Sequence, residues 1–80
     1  FLRPHVRIYA NLAQLSLNEG RITDAKYYAE KGLALDSTQS ALWNHLAVAM
    51  TRSGDLAAAE SSFLNAIRFR PKDPNYHHNY

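Results

Sequence analysis

Four histidines, the adjacent Ser61 and Ser62, and a basic run of Arg68, Arg70 and Lys72 are the groups in this 80-residue chain that invite a chemical reading. A metal site needs ligands that converge. His77 and His78 are consecutive, so on a helix they point about 100° apart and cannot chelate one ion as an i, i+4 pair would. His45 and His78 can share a face, but the chain has no cysteine and no carboxylate placed beside them to complete a set. Ser61 and Ser62 have no histidine at helical spacing, so no nucleophile, base and orienting group assemble. The residues therefore predict neither an enzyme nor a cofactor or metal site. The basic run is interleaved with Phe69 and Tyr76, a mixture that nucleic-acid grooves use. Its place at the carboxyl end of a helix, facing the negative end of the dipole, accounts for it without nucleic acid. A net charge of +2 makes no further demand.

Those groups ride on a repeating scaffold. Trp43, Leu46, Ala47, Gly54 and Ala59 recur thirty-four residues earlier as Tyr9, Leu12, Ala13, Gly20 and Ala25. A period in this range marks stacked repeats, which mostly bind other proteins. Val6, Tyr9, Leu12, Ala13 and Leu17 follow the three-and-four spacing of a helical face over residues 5–18, with Pro4 suited to the first turn. Gly20 can end that helix in the left-handed conformation. Arg21 or Thr23 opens a second helix that turns Ile22, Ala25, Tyr28, Ala29, Leu33 and Leu35 inward and runs to about Asp36. The cluster 36–40 reads as a linker that caps the next helix, residues 40–52. Gly54 breaks that helix and Asp55 caps a fourth, residues 56–69, with Ala59, Phe63, Ala66 and Ile67 at core spacing. Pro71 and Pro74 stop it. No strand-length alternation competes.

In repeat two, Trp43, Leu46, Ala47, Gly54, Ala59, Phe63, Ala66 and Pro71 together resemble the tetratricopeptide repeat, with Met50 where an aromatic is usual. Repeat one keeps Tyr9, Leu12, Ala13, Gly20 and Ala25 but has Ser16, Ala29, Gly32 and Ser37 where the family has two aromatics, an alanine and a proline. The resemblance implies an all-α fold of antiparallel helix-turn-helix repeats stacked as a short right-handed superhelix. It divides one region, 1–80, into repeat one at 6–39, repeat two at 40–73 and the start of a third at 74–80. Ala13 beside Ala25, and Ala47 beside Ala59, are small where paired helices must approach, while Tyr9, Trp43 and Phe63 fill volume where they diverge. Trp43→Ala should cost about 3–5 kcal/mol.

The family's concave wall is lined mainly by the first helix of each hairpin. Mapped onto this chain, it presents Arg7, Ala10, Asn11, Gln14 and Asn18, then Asn44, His45, Val48 and Arg52, then Asn75, His78 and Asn79. The resemblance thus implies a peptide-binding site at Arg7, Asn11, Gln14, Asn44, His45, Arg52 and Asn79. Amides offer donor and acceptor to a peptide backbone, and arginines can pair with its carboxylates. Arg7 and Asn11 resemble half of the clamp with which some members hold the acidic C-terminus of heat-shock chaperones. Asn75, Asn79 and His45 stand where the other half needs two basic residues and an asparagine, which favours a generic peptide or partner helix. The expected function is a protein-interaction scaffold, the alternative being an accessory region of a larger enzyme such as a transferase.

No apolar stretch approaches the roughly 20 residues that cross a bilayer, nothing resembles a signal peptide, and no membrane role is expected. The absence of cysteine leaves the compartment open. The chain begins at Phe1 and reads as a segment of a longer protein. About three repeats are usually needed to bury a solenoid's faces, so either Tyr76 and Tyr80 fold onto the second helix of repeat two as a partial cap or copies self-associate end to end, with Phe63, Ile67, Tyr76 or Tyr80 expected in a contact between chains.

Overall fold

The computed structural model describes residues 4–70. They form four α-helices in chain order: α1 Pro4–Asn18, α2 Ile22–Leu35, α3 Ser40–Ser53 and α4 Leu56–Arg68, with no strand among the described residues. Helix ends fall within a residue or two of those the periodicity predicts, as fraying termini allow.

The two tight turns obey one rule. Gly20 and Gly54 have φ of +77° and +90°, the left-handed geometry in which a Cβ would clash with the following carbonyl. Past them the chain reverses within a few residues, so α1 with α2 and α3 with α4 make the two hairpins. The Asp55 carboxylate accepts a hydrogen bond from the Ala58 N–H at 3.2 Å and caps α4 as expected. Neither Arg21 nor Thr23 supplies such a bond to α2, which begins at Ile22 behind an uncapped Arg21.

The linker between hairpins departs from expectation. Its polar side chains do not cap α3, whose N-cap Gln39 makes no side-chain cap bond. Instead Asp36, just past the end of α2, accepts from the Thr38 N–H at 3.0 Å, the Thr38 hydroxyl at 2.6 Å and the Gln39 amide at 2.9 Å. An aspartate bonding its own backbone two residues on is an Asx turn, which bends the chain without a proline. The Trp43 indole N–H donates to the Ser37 carbonyl at 2.7 Å and ties this bend to α3. Ser37, standing where the family has proline, is thus held from outside.

Packing joins the hairpins. α2 lies against α3, and α1 also touches α3, while α4 touches α3 alone among the described helices. One core cluster gathers Ala13, Ala29, Leu46, Met50 and Ala59, with Tyr28, Leu33 and Trp43 packed around it. A second holds Leu17, Ala25 and Ala49. The paired alanines Ala13 with Ala25 and Ala47 with Ala59 are all buried, as close helix approach requires. Met50, in place of an aromatic, is buried too.

Repeat one compensates for its unusual residues. Tyr28 stacks on Tyr9 with ring centroids 6.3 Å apart, supplying from the neighbouring position the aromatic bulk that Ala29 lacks. Gly32 is buried, and a Cβ there would lie 2.7 Å and 2.9 Å from the two δ carbons of Leu42 and 3.2 Å from the Cβ of Tyr9. The missing carbon is what lets fully buried Leu42 seat against α2.

Three apolar residues expected inside lie outside. Phe63 and Ile67 are exposed because no described helix covers the outer face of α4 in the way that α3 covers α2. Leu35 is exposed at the last turn of α2, where the chain leaves the helix for the linker.

Candidate functional site

The residues expected to line the binding wall sit on α1 and α3, which pack side by side. Arg7, Asn11, Gln14 and Asn18 recur at spacings of four and three, one stripe of α1, and all four are exposed. On α3 the residues thirty-four further on are Ala41, His45, Val48 and Arg52, with Asn44 beside them. Ala41, Asn44 and Arg52 are exposed, and His45 and Val48 are half-buried. The repeat therefore gives α1 and α3 equivalent stripes of unlike chemistry. Asn75, His77, His78 and Asn79, with Lys72, Tyr76 and Tyr80, lie outside the described residues.

Three details change what this stripe offers a ligand. The Gln14 amide donates to the Asn18 side-chain oxygen at 3.0 Å, which orients Gln14 along α1 and leaves its own carbonyl to accept. Arg52 donates through Nη1 to the Leu17 carbonyl at 2.9 Å. That oxygen belongs to the last turn of α1, which has no basic residue of its own, so repeat two supplies the cation that answers repeat one's helix dipole. Arg52 is then a brace between hairpins, a role that its place on the stripe does not announce. Burial pushes the His45 imidazole below its usual range, so near pH 7 it is neutral and offers one donor and one acceptor. Arg7 remains the exposed cation of the α1 stripe.

A shallow depression of about 220 Å³ opens where the first turn of α3 meets the end of α4, lined by Ser40, Ala41, Asn44, Ala66 and Arg70. It takes in Asn44 from the predicted set, whereas the sequence assigned none of the remaining lining residues to a binding site. Among the described residues no three histidine, cysteine or carboxylate side chains gather where an ion could be held, and no helix is long and apolar enough to cross a membrane.

A chain of two helical hairpins, related by a thirty-four-residue shift and sharing a core through the second helix of one and the first of the next, is a helical repeat protein. The tetratricopeptide repeat family model matches residues 16–78. The chain belongs to that family. The match begins within the last turns of α1 and runs through the whole of repeat two. No curated protein and no solved structure matches the chain.

Proposed function

We infer that this chain is a protein-interaction module that grips an extended peptide or a partner helix along the stripes of α1 and α3. The family implies protein partners in general. The observation that carries the finer reading is the side-by-side packing of α1 and α3, with Asn11 and Gln14 exposed on the α1 stripe and Asn44 exposed on α3 beside the equivalent stripe. Asparagine and glutamine pair with the N–H and C=O groups of a peptide whatever its side chains, and Arg7 adds a preference for a carboxylate at one end. Half-buried His45 and Val48 provide a less polar strip between them. The module acts by binding and performs no reaction, and duplex DNA is not its ligand.

The test is selection from a random-peptide display library. Peptides recovered on the 80-residue protein should lose at least about tenfold in affinity, the worth of one or two hydrogen bonds, for a Arg7→Ala, Asn11→Ala, Asn44→Ala triple variant. Arg52 is left intact, because its loss would loosen the two hairpins and mimic a binding defect. Peptides that bind the triple variant unchanged would place the binding surface elsewhere.

A further inference from the structure

The charges of this chain are sorted by helix. α1 and α3 contain no aspartate or glutamate, and their permanently charged side chains are Arg7 and Arg52. The carboxylates of the described residues stand elsewhere: Asp24, Glu30 and Glu60 on α2 and α4, Glu19 paired with Arg21, Asp36 in the linker and Asp55 at the start of α4. The binding stripes therefore carry two cations and no anion of their own.

Arg52 is set up to receive a carboxylate. Its Nη1 donates to the Leu17 carbonyl at 2.9 Å, which fixes the guanidinium without neutralising it, since a helix terminus carries only about half a charge. A guanidinium has further N–H donors in the same plane, and they stay open to a second acceptor. Arg52 is exposed, and no ion pair occupies it among the described residues. Holding the side chain in place beforehand lowers the ordering cost of binding.

We propose that Arg7 and Arg52 mark the two ends of one recognition track, which selects an extended peptide carrying two acidic side chains about six residues apart. The proposal rests on the α1 and α3 stripes being the peptide surface. Helix geometry sets the spacing. The Arg52 bond ties the last turn of α3 to the last turn of α1, so the guanidinium lies level with Leu17. From Arg7 to Leu17 the helix rises about 15 Å, and a helical side chain leans toward the N-terminus, which carries the Arg7 guanidinium about 5 Å further off. An extended chain covers about 3.3 Å per residue, so a gap of roughly 20 Å takes about six. Residues an even number apart share a face of such a chain, so both acids can turn toward the stripes. Half-buried His45 and Val48 lie on α3 before Arg52 and favour an uncharged residue between the acids. Because the acids are side chains, no chain terminus is required.

The test is a display library of random dodecapeptides fused through their carboxyl ends, so that no terminal carboxylate is offered. Selection on the 80-residue protein should enrich pairs of Asp or Glu about six positions apart. Changing either acid of a recovered peptide to its amide should weaken binding about fivefold. Arg52→Met then separates a receptor from a brace. On that variant the peptide and its amide form should bind alike at one end, while discrimination at the other end persists. Arg7→Ala, at an exposed position, should show the converse. A side chain that only holds the hairpins together would weaken both peptides equally and leave their ratio as it is in the parent. That unchanged ratio, recovered peptides without paired acids, or the recovery of no peptide overturns the proposal. Peptides that lack paired acids yet weaken on the Arg7→Ala, Asn11→Ala, Asn44→Ala variant would remove the acidic preference and keep the stripes as the binding surface. Binding unchanged on that triple variant would remove both.

Discussion

Gly32 shows how a single carbon sets the spacing of two helices. Alanine there would gain about 1 kcal/mol of helix propensity, but its methyl would meet both δ carbons of a fully buried Leu42 and the Cβ of Tyr9. A buried leucine has nowhere to rotate, and overpacking of this kind costs about 1–3 kcal/mol. The clash wins: Gly32→Ala should lower stability by about 1 kcal/mol, and the double variant Gly32→Ala, Leu42→Ala should show non-additive recovery in chemical denaturation. His45 sets a second expectation. Its pKa is lower in the folded chain than in the unfolded one because burial disfavours the cation. The unfolded state therefore takes up a proton first, and the stability due to neutral His45 is full above about pH 6.5 and is lost as the pH falls below it toward the folded value. The melting temperature should drop between pH 7 and pH 5, and His45→Gln should flatten that part of the profile. Neither residue's role was visible in the sequence. Gly32 read as a departure from the family's alanine, and only the position of Leu42 on a different helix explains it.

At the scale of elements, helix existence and turn chemistry were legible because both are local. Glycine at the left-handed positions 20 and 54, the Asp55 cap and the three-and-four spacing each depend on residues within a turn of one another. Interactions between elements were not legible. The Arg52 bond to Leu17 spans thirty-five positions, and an Asx turn in which the Asp36 carboxylate accepts from the Thr38 N–H and hydroxyl stands where a cap was expected. Phe63 and Ile67 carry a core pattern without a described helix to cover them, so periodicity located their face and could not say what fills it. The Arg52 brace is open to measurement. Arg52→Met keeps the alkyl stem and removes the hydrogen bond to the α1 terminus, a charge-assisted contact worth about 1–2 kcal/mol at an exposed site. Urea midpoints should fall accordingly, and a variant as stable as the parent would mean that the bond is replaced by water without loss.

Taken whole, the molecule is a short row of helices in which α3 touches all three others and α4 touches α3 alone among those described. In a quasi-linear array, each unit is held by its neighbours, so an end unit with one contact opens at lower free energy than a central one. Amide hydrogen exchange should accordingly be fastest in α4 and slowest in α3, with α1 and α2 between; uniform protection across the four would mean that they open as one unit. α1 and α3 can remain folded together while α4, the last of the described helices, detaches and returns. The stripes assigned to peptide binding would then outlast brief fraying of the far edge, and a bound ligand's residence time would be insensitive to how often α4 comes loose.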